Sequence, residues 1–221
     1  MSFSQIAQVV IIVLAGLGVY GFVLTARDGE TRRACTALCA LKPDYAARNR
    51  MAPDFELKGL DGRPVRLASY RGKTVILHFW TKTCRPCLEE LPHIASLAKA
   101  LRPFSNDIAL VTVTTDESAE DARATLQSVV GATDPFTVLI DPDGDAVVGG
   151  KYGTKLFPET WFIDKAGVIR ARFDGPRDWE GALPLDLAQT LSAPIPCEVT
   201  YSAGQPTGPL AGLCSDVAPG S

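Results

Sequence analysis

The two cysteines of TVILHFWTKTCRPCLEELP, residues 74–92, restrict the possible folds of this chain more than any other feature. The first seven residues of the stretch are an almost continuous apolar run, which is typical of a central strand buried on both faces. From Leu88 to Leu101, leucine and isoleucine recur at helical spacing, which predicts a helix over 84–101. The two cysteines therefore lie at the junction between a buried strand and a helix, and they are one helical turn apart.

The rest of the chain alternates predicted strands with predicted helices, an order that indicates an α/β sandwich. Apolar and polar residues alternate on both sides of the turn LDGRP, which predicts a β-hairpin. Ser118, followed three residues later by Asp121, is a candidate N-cap of a second helix. The predicted elements are strands 55–57, 65–67, 74–80, 108–116, 136–141, 160–164 and 168–175, and helices 84–101, 118–131 and 179–192.

A position at the start of a helix gives the two cysteines different chemistry. The helix N-terminus carries partial positive charge and free N–H groups, which stabilise a thiolate at Cys84, and Arg85 adds a cation beside it. We expect Cys84 to be the nucleophile and Cys87, further into the helix, to be the resolving thiol. Pro86 suits the first helical turn, where its missing N–H costs nothing. The pattern favours a redox-active pair.

A zinc site and an inert disulfide are the alternatives for this pair. A structural zinc site needs four ligands. The chain has only two histidines, and the spacing of Cys35 and Cys39 does not suit a second ligand pair, so we expect no bound metal. An inert disulfide would be unusual at a strand-to-helix junction, and it stays open as an alternative.

An uncharged apolar segment, Ile6–Leu24, lies near the N-terminus and is long enough to span a hydrocarbon core of about 30 Å. No polar face interrupts it, which argues against a buried core helix. A cleaved signal peptide is the alternative, but no basic region precedes the segment. We expect residues 1–26 to be a retained membrane anchor.

The orientation of this anchor receives conflicting signals. The nearby cationic residues follow the span and none precedes it, which would place the main domain in the cytoplasm. The six cysteines argue otherwise, because four of them lie outside the motif at 84–87 and are best explained as structural disulfides in an oxidising compartment. These four are Cys35, Cys39, Cys197 and Cys214. We expect a single-pass protein with an extracytoplasmic, periplasmic catalytic domain.

Charge and composition indicate which partners the chain can bind and how it divides into segments. The net charge is −3 and no run of lysine or arginine stands out, so nothing indicates binding to nucleic acid. A polar juxtamembrane segment over 27–50 contains the first cysteine pair, and a Pro- and Gly-rich tail over 194–221 contains the last. The catalytic domain is expected over 51–193. The connectivity of the four outer cysteines stays open, with local pairing and pairing between the two segments as the alternatives.

Three ordered motifs carry a family resemblance: APDFELKGLDGRPVRLASYRGKTVILHFW, CRPCLEELP and FPETWFID. Together they resemble the membrane-anchored, thioredoxin-like thiol–disulfide oxidoreductases of the TlpA/ResA/CcmG group, over residues 52–192. The resemblance implies a thioredoxin-like three-layer sandwich with an added N-terminal β-hairpin. It also implies that residues 117–141 form an insert between the central strands and that Cys84 is the exposed member of the pair.

The resemblance also assigns roles outside the cysteine pair. Pro158, in LFPET, matches the cis-proline that faces the disulfide and helps to hold the substrate chain; a trans proline opening a strand is the alternative. Glu90 matches an acidic residue near the pair that could exchange a proton with Cys87; a solvated helix glutamate is the alternative. We expect substrate contacts from residues around the pair and the proline, namely Trp80, Arg85, Pro86, Phe157 and Glu159.

Two positions depart from the family pattern. Thr83 stands where the family usually has a tryptophan, so the aromatic wall of the site is lost or is supplied by Trp80. His78 lies on the predicted buried strand, at the position where cytosolic thioredoxins have a buried aspartate that transfers protons at the second cysteine. His78 could perform that transfer near neutral pH; a buried neutral histidine bonded to a carbonyl group is the alternative.

These residues predict thiol–disulfide exchange on protein substrates, in the reducing direction, with an upstream electron donor and no cofactor. The resemblance suggests apocytochrome c or a copper-site protein as substrate. One alternative is a peroxidase, because peroxiredoxins share the fold, the APDF opening and a threonine shortly before the reactive cysteine, here Thr81. A second alternative is a copper-delivery chaperone, which needs a histidine ligand beside the two thiols.

Overall fold

The computed structural model describes residues 3–40, 51–133, 135–192, 200–202 and 205–207. One long helix, α1 (Phe3–Ala40), begins the chain. Its segment Gln5–Arg27 is long and apolar enough to cross a membrane, with a mean hydropathy of 2.5, and none of it is buried against the rest of the protein. The helix continues beyond the predicted anchor over 1–26 into the polar juxtamembrane segment. Alanine, leucine, arginine and glutamate, which all favour helix, predominate after the span.

A seven-stranded mixed sheet forms the centre of the fold. The strands are β1 (Glu56–Gly59), β2 (Pro64–Arg66), β3 (Thr74–Trp80), β4 (Ile108–Thr114), β5 (Thr137–Ile140), β6 (Glu159–Ile163) and β7 (Ile169–Asp174). Their order in the sheet is β2-β1-β5-β4-β3-β6-β7. β3, β4 and β5 are parallel to one another, and β1, β6 and their outer neighbours complete the sheet in antiparallel pairs. A separate small ribbon pairs β8 (Thr200–Ser202) with β9 (Gln205–Thr207).

Three helices follow the strands as the periodicity predicted. They are α2 (Arg85–Leu101), α3 (Ala119–Val129) and α4 (Ala182–Ser192). Ser118 caps α3 by accepting a hydrogen bond from the backbone N–H of Asp121, at 3.1 Å. Leu97, Leu126 and Leu191, one from each helix, share a single apolar cluster on one face of the sheet.

The central strand β3 separates two hydrophobic clusters. All seven of its residues are buried, and successive side chains point to opposite faces of the sheet. Ile76 and Trp80 belong to the cluster under the helices. Leu77 and Phe79 belong to the cluster on the other face, which is covered by the N-terminal hairpin region and the segment over 142–157. His78 alternates with these residues and therefore faces the helices, together with Ile76 and Trp80.

The segment over 142–157 has no helix or strand longer than one short 3₁₀ turn, and sequence periodicity did not predict its path. Asp141 organises it. The buried Asp141 carboxylate accepts hydrogen bonds from the backbone N–H groups of Val147 and Val148, at 2.9 and 2.8 Å. Tyr152 then packs edge-on against Phe79. The predicted insert over 117–141 contains α3 and β5, and β5 joins the N-terminal hairpin to the central sheet.

Candidate active site

Cys84 and Cys87 form a disulfide at the start of α2, with their Cα atoms 5.3 Å apart. Cys84 is the N-cap residue, and its sulfur accepts a hydrogen bond from the backbone N–H of Cys87 at 3.2 Å. Cys84 is half-buried, whereas Cys87 is completely buried. An incoming thiol therefore reaches the first sulfur far more easily than the second.

The local sequence explains why the helix starts here. Cys84 has extended backbone angles, and Pro86 occupies the first turn of α2, where a proline nitrogen sacrifices no hydrogen bond. Arg85 and Pro86 are exposed beside the disulfide, and Arg85 Nε donates a 2.9 Å hydrogen bond to Glu89. The exposure of both residues is compatible with their predicted contact with a substrate.

Asp116, which sequence reasoning did not select, fixes the turn that leads to Cys84. Its buried Oδ1 atom accepts hydrogen bonds from the backbone N–H of Lys82, at 2.7 Å, and from the Thr81 hydroxyl, at 3.1 Å. The carboxyl ends of parallel strands β3 and β4 meet at one edge of the sheet. An acidic residue just after β4 was thus the signal available in the sequence.

The peptide between Phe157 and Pro158 is cis, as the resemblance predicted. Pro158 is buried and immediately precedes β6, whose residue Glu159 pairs with Phe79 of β3. Phe157 is half-buried and Leu156 is 80% exposed. This loop therefore presents an apolar surface that was only partly expected.

The predicted substrate contact by Glu159 is wrong, because this side chain is 2% exposed. Its carboxylate accepts hydrogen bonds from the Thr154 hydroxyl at 2.5 Å and from Arg172 Nη2 at 3.0 Å. Burial raises the pKa of Glu159, and its bonds to Thr154 and Arg172 partly oppose that rise. Glu159 holds the loop in place from inside the protein.

Trp80 is completely buried, so the prediction that it contacts substrate, or forms an aromatic wall at the site, is also wrong. It is the last residue of β3, and the strand alternation turns its ring under the helices. The indole N–H donates a 3.2 Å hydrogen bond to the Thr112 hydroxyl. Trp80 supports the core beneath the cysteine pair.

Glu90 is 3% exposed, which excludes the solvated helix glutamate considered from the sequence. Its Oε1 atom accepts hydrogen bonds from the Trp179 indole N–H and, at 2.9 Å, from the backbone N–H of Arg177. Burial raises the pKa of Glu90, while these two bonds oppose the rise. Sequence reasoning missed Trp179 and Arg177, because they precede α4 and meet Glu90 only in the folded chain.

His78 is completely buried on β3, and its Nδ1 atom lies 2.9 Å from the Thr160 hydroxyl. Burial lowers the pKa of His78 to about 3. This effect of burial favours the alternative of a neutral histidine near pH 7, and the proton transfer considered for His78 stays a prediction. The partner of His78 is a hydroxyl group and not the carbonyl group that the alternative suggested.

This geometry adds no support for a peroxidase or for a copper-delivery chaperone. The Thr81 hydroxyl is bonded to Asp116. Within the described residues, no group of three or more histidine, cysteine, aspartate or glutamate side chains could hold a metal ion. His93, the second histidine, lies on the surface with its Nδ1 atom 3.4 Å from Glu180.

The four outer cysteines cannot be placed in this site. The backbones of Cys35 and Cys39 belong to α1, but their side chains lie outside the described part of the chain, as do Cys197 and Cys214 entirely. Their pairing therefore stays a prediction.

A bonded Cys-X-X-Cys pair at the start of a helix, above a mixed sheet with a cis-proline loop, defines the class of thioredoxin-like thiol–disulfide oxidoreductases. The chain belongs to the AhpC/TSA family, whose sequence profile matches residues 49–172. The family resemblance and the thioredoxin-like fold inferred from the sequence are thereby confirmed.

Individual relatives agree with this class. The thiol–disulfide oxidoreductase ResA of Geobacillus thermodenitrificans is 36% identical over 124 residues, which cover 56% of this chain and 67% of ResA. A structure from Chlorobium tepidum, assigned as thiol:disulfide interchange protein DsbE, is 30% identical with a TM-score of 0.55 and covers 65% of this chain and 97% of that one. The exposed lipoprotein thioredoxin of Streptococcus pneumoniae is 31% identical with a TM-score of 0.50, over 60% and 97% of the two chains.

Proposed function

We propose that this protein is a membrane-anchored reductase of disulfides in other proteins, with its catalytic domain outside the cytoplasm. The observation that carries the proposal is the unequal exposure of the bonded pair: Cys84 is half-buried at the helix N-terminus and Cys87 is buried behind it. A thiolate at a helix N-terminus is stabilised, and a protected second thiol resolves the mixed disulfide within the same molecule.

The reaction begins with the reduced pair. The Cys84 thiolate attacks one sulfur of the substrate disulfide, and the other substrate sulfur leaves as a thiolate and takes up a proton. Cys87 then loses its proton to the Glu90 carboxylate and attacks Cys84. The substrate leaves with both sulfurs reduced, and two electrons have passed from the pair to it. An upstream dithiol donor supplies two electrons to reopen the Cys84–Cys87 disulfide.

Glu90 suits this exchange of protons because it follows Cys87 by one helical turn and is buried like it. Its raised pKa brings a carboxyl group closer to the range in which it can both accept and return a proton near neutral pH. In the reverse half of the cycle, protonated Glu90 supplies the proton that the leaving Cys87 thiolate needs.

The loop before Pro158 supplies the surface for the substrate chain. Leu156 is largely exposed and Phe157 half-exposed, and Phe157 packs against the same apolar cluster as Cys84. An extended peptide with apolar side chains next to its cysteine suits such a surface. From the family resemblance, apocytochrome c or a copper-site protein is the proposed substrate.

The location of the domain is supported by three observations. The exposed apolar segment Gln5–Arg27 is suited to a bilayer, and one relative is described as an exposed lipoprotein. The cysteine content is suited to an oxidising compartment, where the four outer cysteines would be paired. We therefore place the catalytic domain on the extracytoplasmic side of a single-pass anchor, in contact with its donor at the membrane.

Mechanism-based trapping tests the proposal. Cys87→Ser protein expressed in the native membrane should accumulate as a mixed disulfide through Cys84, and mass spectrometry of the non-reduced adduct identifies the partner. The matched control is Cys84→Ser. The other thiol of the pair, Cys87, is buried, so this variant should capture nothing. Equal capture by the two variants, or no reducible adduct with Cys87→Ser, would contradict the proposal.

A further inference from the structure

Two buried polar atoms face each other behind the cysteine pair. His78 Nε2 and Glu90 Oε2 are 4.0 Å apart, and the two side chains are 0% and 2% exposed. Neither atom has a hydrogen-bond partner among the described residues. Leaving two buried polar atoms unpaired costs free energy, so their placement opposite one another calls for a chemical explanation.

The remaining polar atoms of both side chains are held in place. His78 Nδ1 lies 2.9 Å from the Thr160 hydroxyl on β6, which fixes the ring plane. Glu90 Oε1 is occupied by the Trp179 indole and the Arg177 backbone N–H. Nε2 and Oε2 are thus directed at each other from opposite sides. Their separation is about 1 Å longer than an N–H···O hydrogen bond, a gap that a small torsional adjustment or one bridging water closes.

A neutral imidazole can match either protonation state of the carboxyl group. With its proton on Nε2 it donates to the Glu90 carboxylate, and with its proton on Nδ1 it accepts at Nε2 from the protonated acid. The Thr160 hydroxyl accommodates both arrangements, because a hydroxyl donates or accepts according to its rotation. No arrangement of these three groups requires a charged histidine.

We propose that His78 is a positioning residue whose tautomer follows the protonation state of Glu90, so that one hydrogen bond between them persists in both states. When Glu90 loses a proton, the imidazole carries its own proton on Nε2 instead of Nδ1 and keeps one proton throughout. The net change is the single proton lost by the carboxyl group. The contribution of this hydrogen bond to catalysis depends on the proposed proton exchange between Glu90 and Cys87.

Other charged groups act on the same carboxyl group. On α2 itself, His93 lowers the pKa of Glu90 when it carries a charge, and His93 is in turn close to Glu180. From the segment before α4, the Arg177 charge acts in the same direction. On β3 and β6, the facing groups are His78 and the uncharged Thr160. Replacing His93 removes the one other histidine from both the titration and the spectrum.

Nitrogen-15 NMR of labelled histidine tests the proposal directly. The protein used is the full oxidised chain in detergent micelles with His93→Gln, so that His78 is the only histidine and Cys87 cannot titrate. From about pH 4 to about pH 9, a span that covers ordinary and raised carboxyl values, the signal should move from the Nδ1–H to the Nε2–H tautomer in one transition. A single tautomer throughout, or an imidazolium signal in place of the transition, would overturn it.

The matched control is Glu90→Gln in the same background. The amide that replaces the Glu90 carboxyl group does not titrate, so the spectrum of His78 should not change over this pH range. A transition that persists in Glu90→Gln would show that another group controls the tautomer and would equally overturn the proposal. The measurement uses no substrate, so a failure of Glu90 to exchange protons with Cys87 would leave its result intact.

Turnover supplies the second readout. His78→Leu should lower the rate of disulfide reduction, by less than the roughly hundredfold loss expected when a direct acid–base group is removed, and should shift its pH profile. His78→Gln, whose amide retains a polar atom near the Nε2 position, should recover part of the rate. If Leu and Gln variants keep the wild-type pH profile, His78 is only a packing residue. This outcome would contradict the proposed role even if Cys87→Ser still trapped its partner.

Discussion

The Asp116 carboxylate, just beyond β4, accepts a 2.7 Å hydrogen bond from the backbone N–H of Lys82, two residues before Cys84. The same oxygen accepts from the Thr81 hydroxyl. The turn between β3 and α2 is therefore held by a side chain from the neighbouring strand, and the geometry of the cysteine pair depends on a residue that does no chemistry.

Asp116→Ala should lower the free energy of unfolding by about 2 kcal/mol, because the partly buried backbone N–H of Lys82 loses its charged acceptor. The reaction of Cys84 with a model disulfide should slow as well, since the turn before it loosens. Thr81→Val is the matched control: it removes the hydroxyl bond and leaves the backbone bond, so its effect should be clearly smaller. Denaturant titration and exchange kinetics on the full chain in detergent measure both effects. Equal losses in the two variants would mean that the backbone bond is unimportant.

The N-cap position of Cys84 predicts its reactivity. In reduced Cys87→Ser protein, the Cys84 thiol should have a pKa below the ordinary value of about 8.5, because the helix N-terminus stabilises the thiolate. The thiolate exists above that lowered value, so alkylation should already be fast at neutral pH and should lose rate only in acid. Mass spectrometry of the peptide that contains Cys84 follows alkylation at this site alone. A half-maximal rate near pH 8.5 would remove the basis of the proposed mechanism.

The parts of the site that follow from local sequence were predictable. The apolar run of β3 and the helical spacing after it place the pair at a strand-to-helix junction, and a helix N-terminus acts on Cys84 whatever the rest of the fold is. The resemblance added the cis peptide at Pro158, which no local pattern predicts. These features can be predicted without knowing which side chains distant in the sequence contact each other.

The burial of Glu90 and of Glu159 depends on contacts between residues distant in the sequence. Glu90 was placed near the pair, but its buried state depends on Trp179, which is 89 residues away. Glu159 was expected to contact substrate because it follows Pro158, and its burial depends on its bonds to Thr154 and to Arg172 on β7. The burial of Trp80 could have been predicted from the sequence, since alternation along β3 places it on the same face as Ile76.

Glu90 should make the stability of the oxidised protein depend on pH. Burial raises its pKa in the folded state, so the folded protein retains the proton more strongly than the unfolded chain does. The contribution of Glu90 to stability is therefore present below its unfolded pKa and is lost as the pH rises through the folded value. Glu90→Gln keeps an acceptor for Trp179 and Arg177 but does not titrate.

Relative to wild type, Glu90→Gln should thus gain stability as the pH rises from the ordinary pKa of 4.5 through the raised pKa, and the difference should then level off. Glu89→Gln is the matched control, because Glu89 is exposed and pairs only with Arg85 among the described residues. Its difference from wild type should be small over the same range. Unfolding free energies at several pH values measure both differences, and a flat difference for Glu90→Gln would refute a raised pKa.

The pairing of Glu159 with Arg172 should stabilise the loop before Pro158. Thr154 and Arg172 bind the two oxygens of the Glu159 carboxylate, so removing the cation leaves a buried charge without its principal compensation. Arg172→Met should lower the free energy of unfolding by about 2 kcal/mol at neutral pH, less than for a fully buried pair because Arg172 is partly exposed.

The same substitution should raise the pKa of Glu159 further, since Arg172 opposes the effect of burial. The protonated acid has no need of the cation, so the loss of stability should shrink as the pH falls below that pKa. Asp174→Ala is the matched control, because it removes the exposed partner of Arg172 and leaves Glu159 bound. The double variant Arg172→Met with Glu159→Gln should recover part of the loss, since the buried charge has gone. A loss that is independent of pH and unchanged in the double variant would assign Arg172 to packing against Trp161, over which it lies at 5.1 Å, and not to compensation of the Glu159 charge.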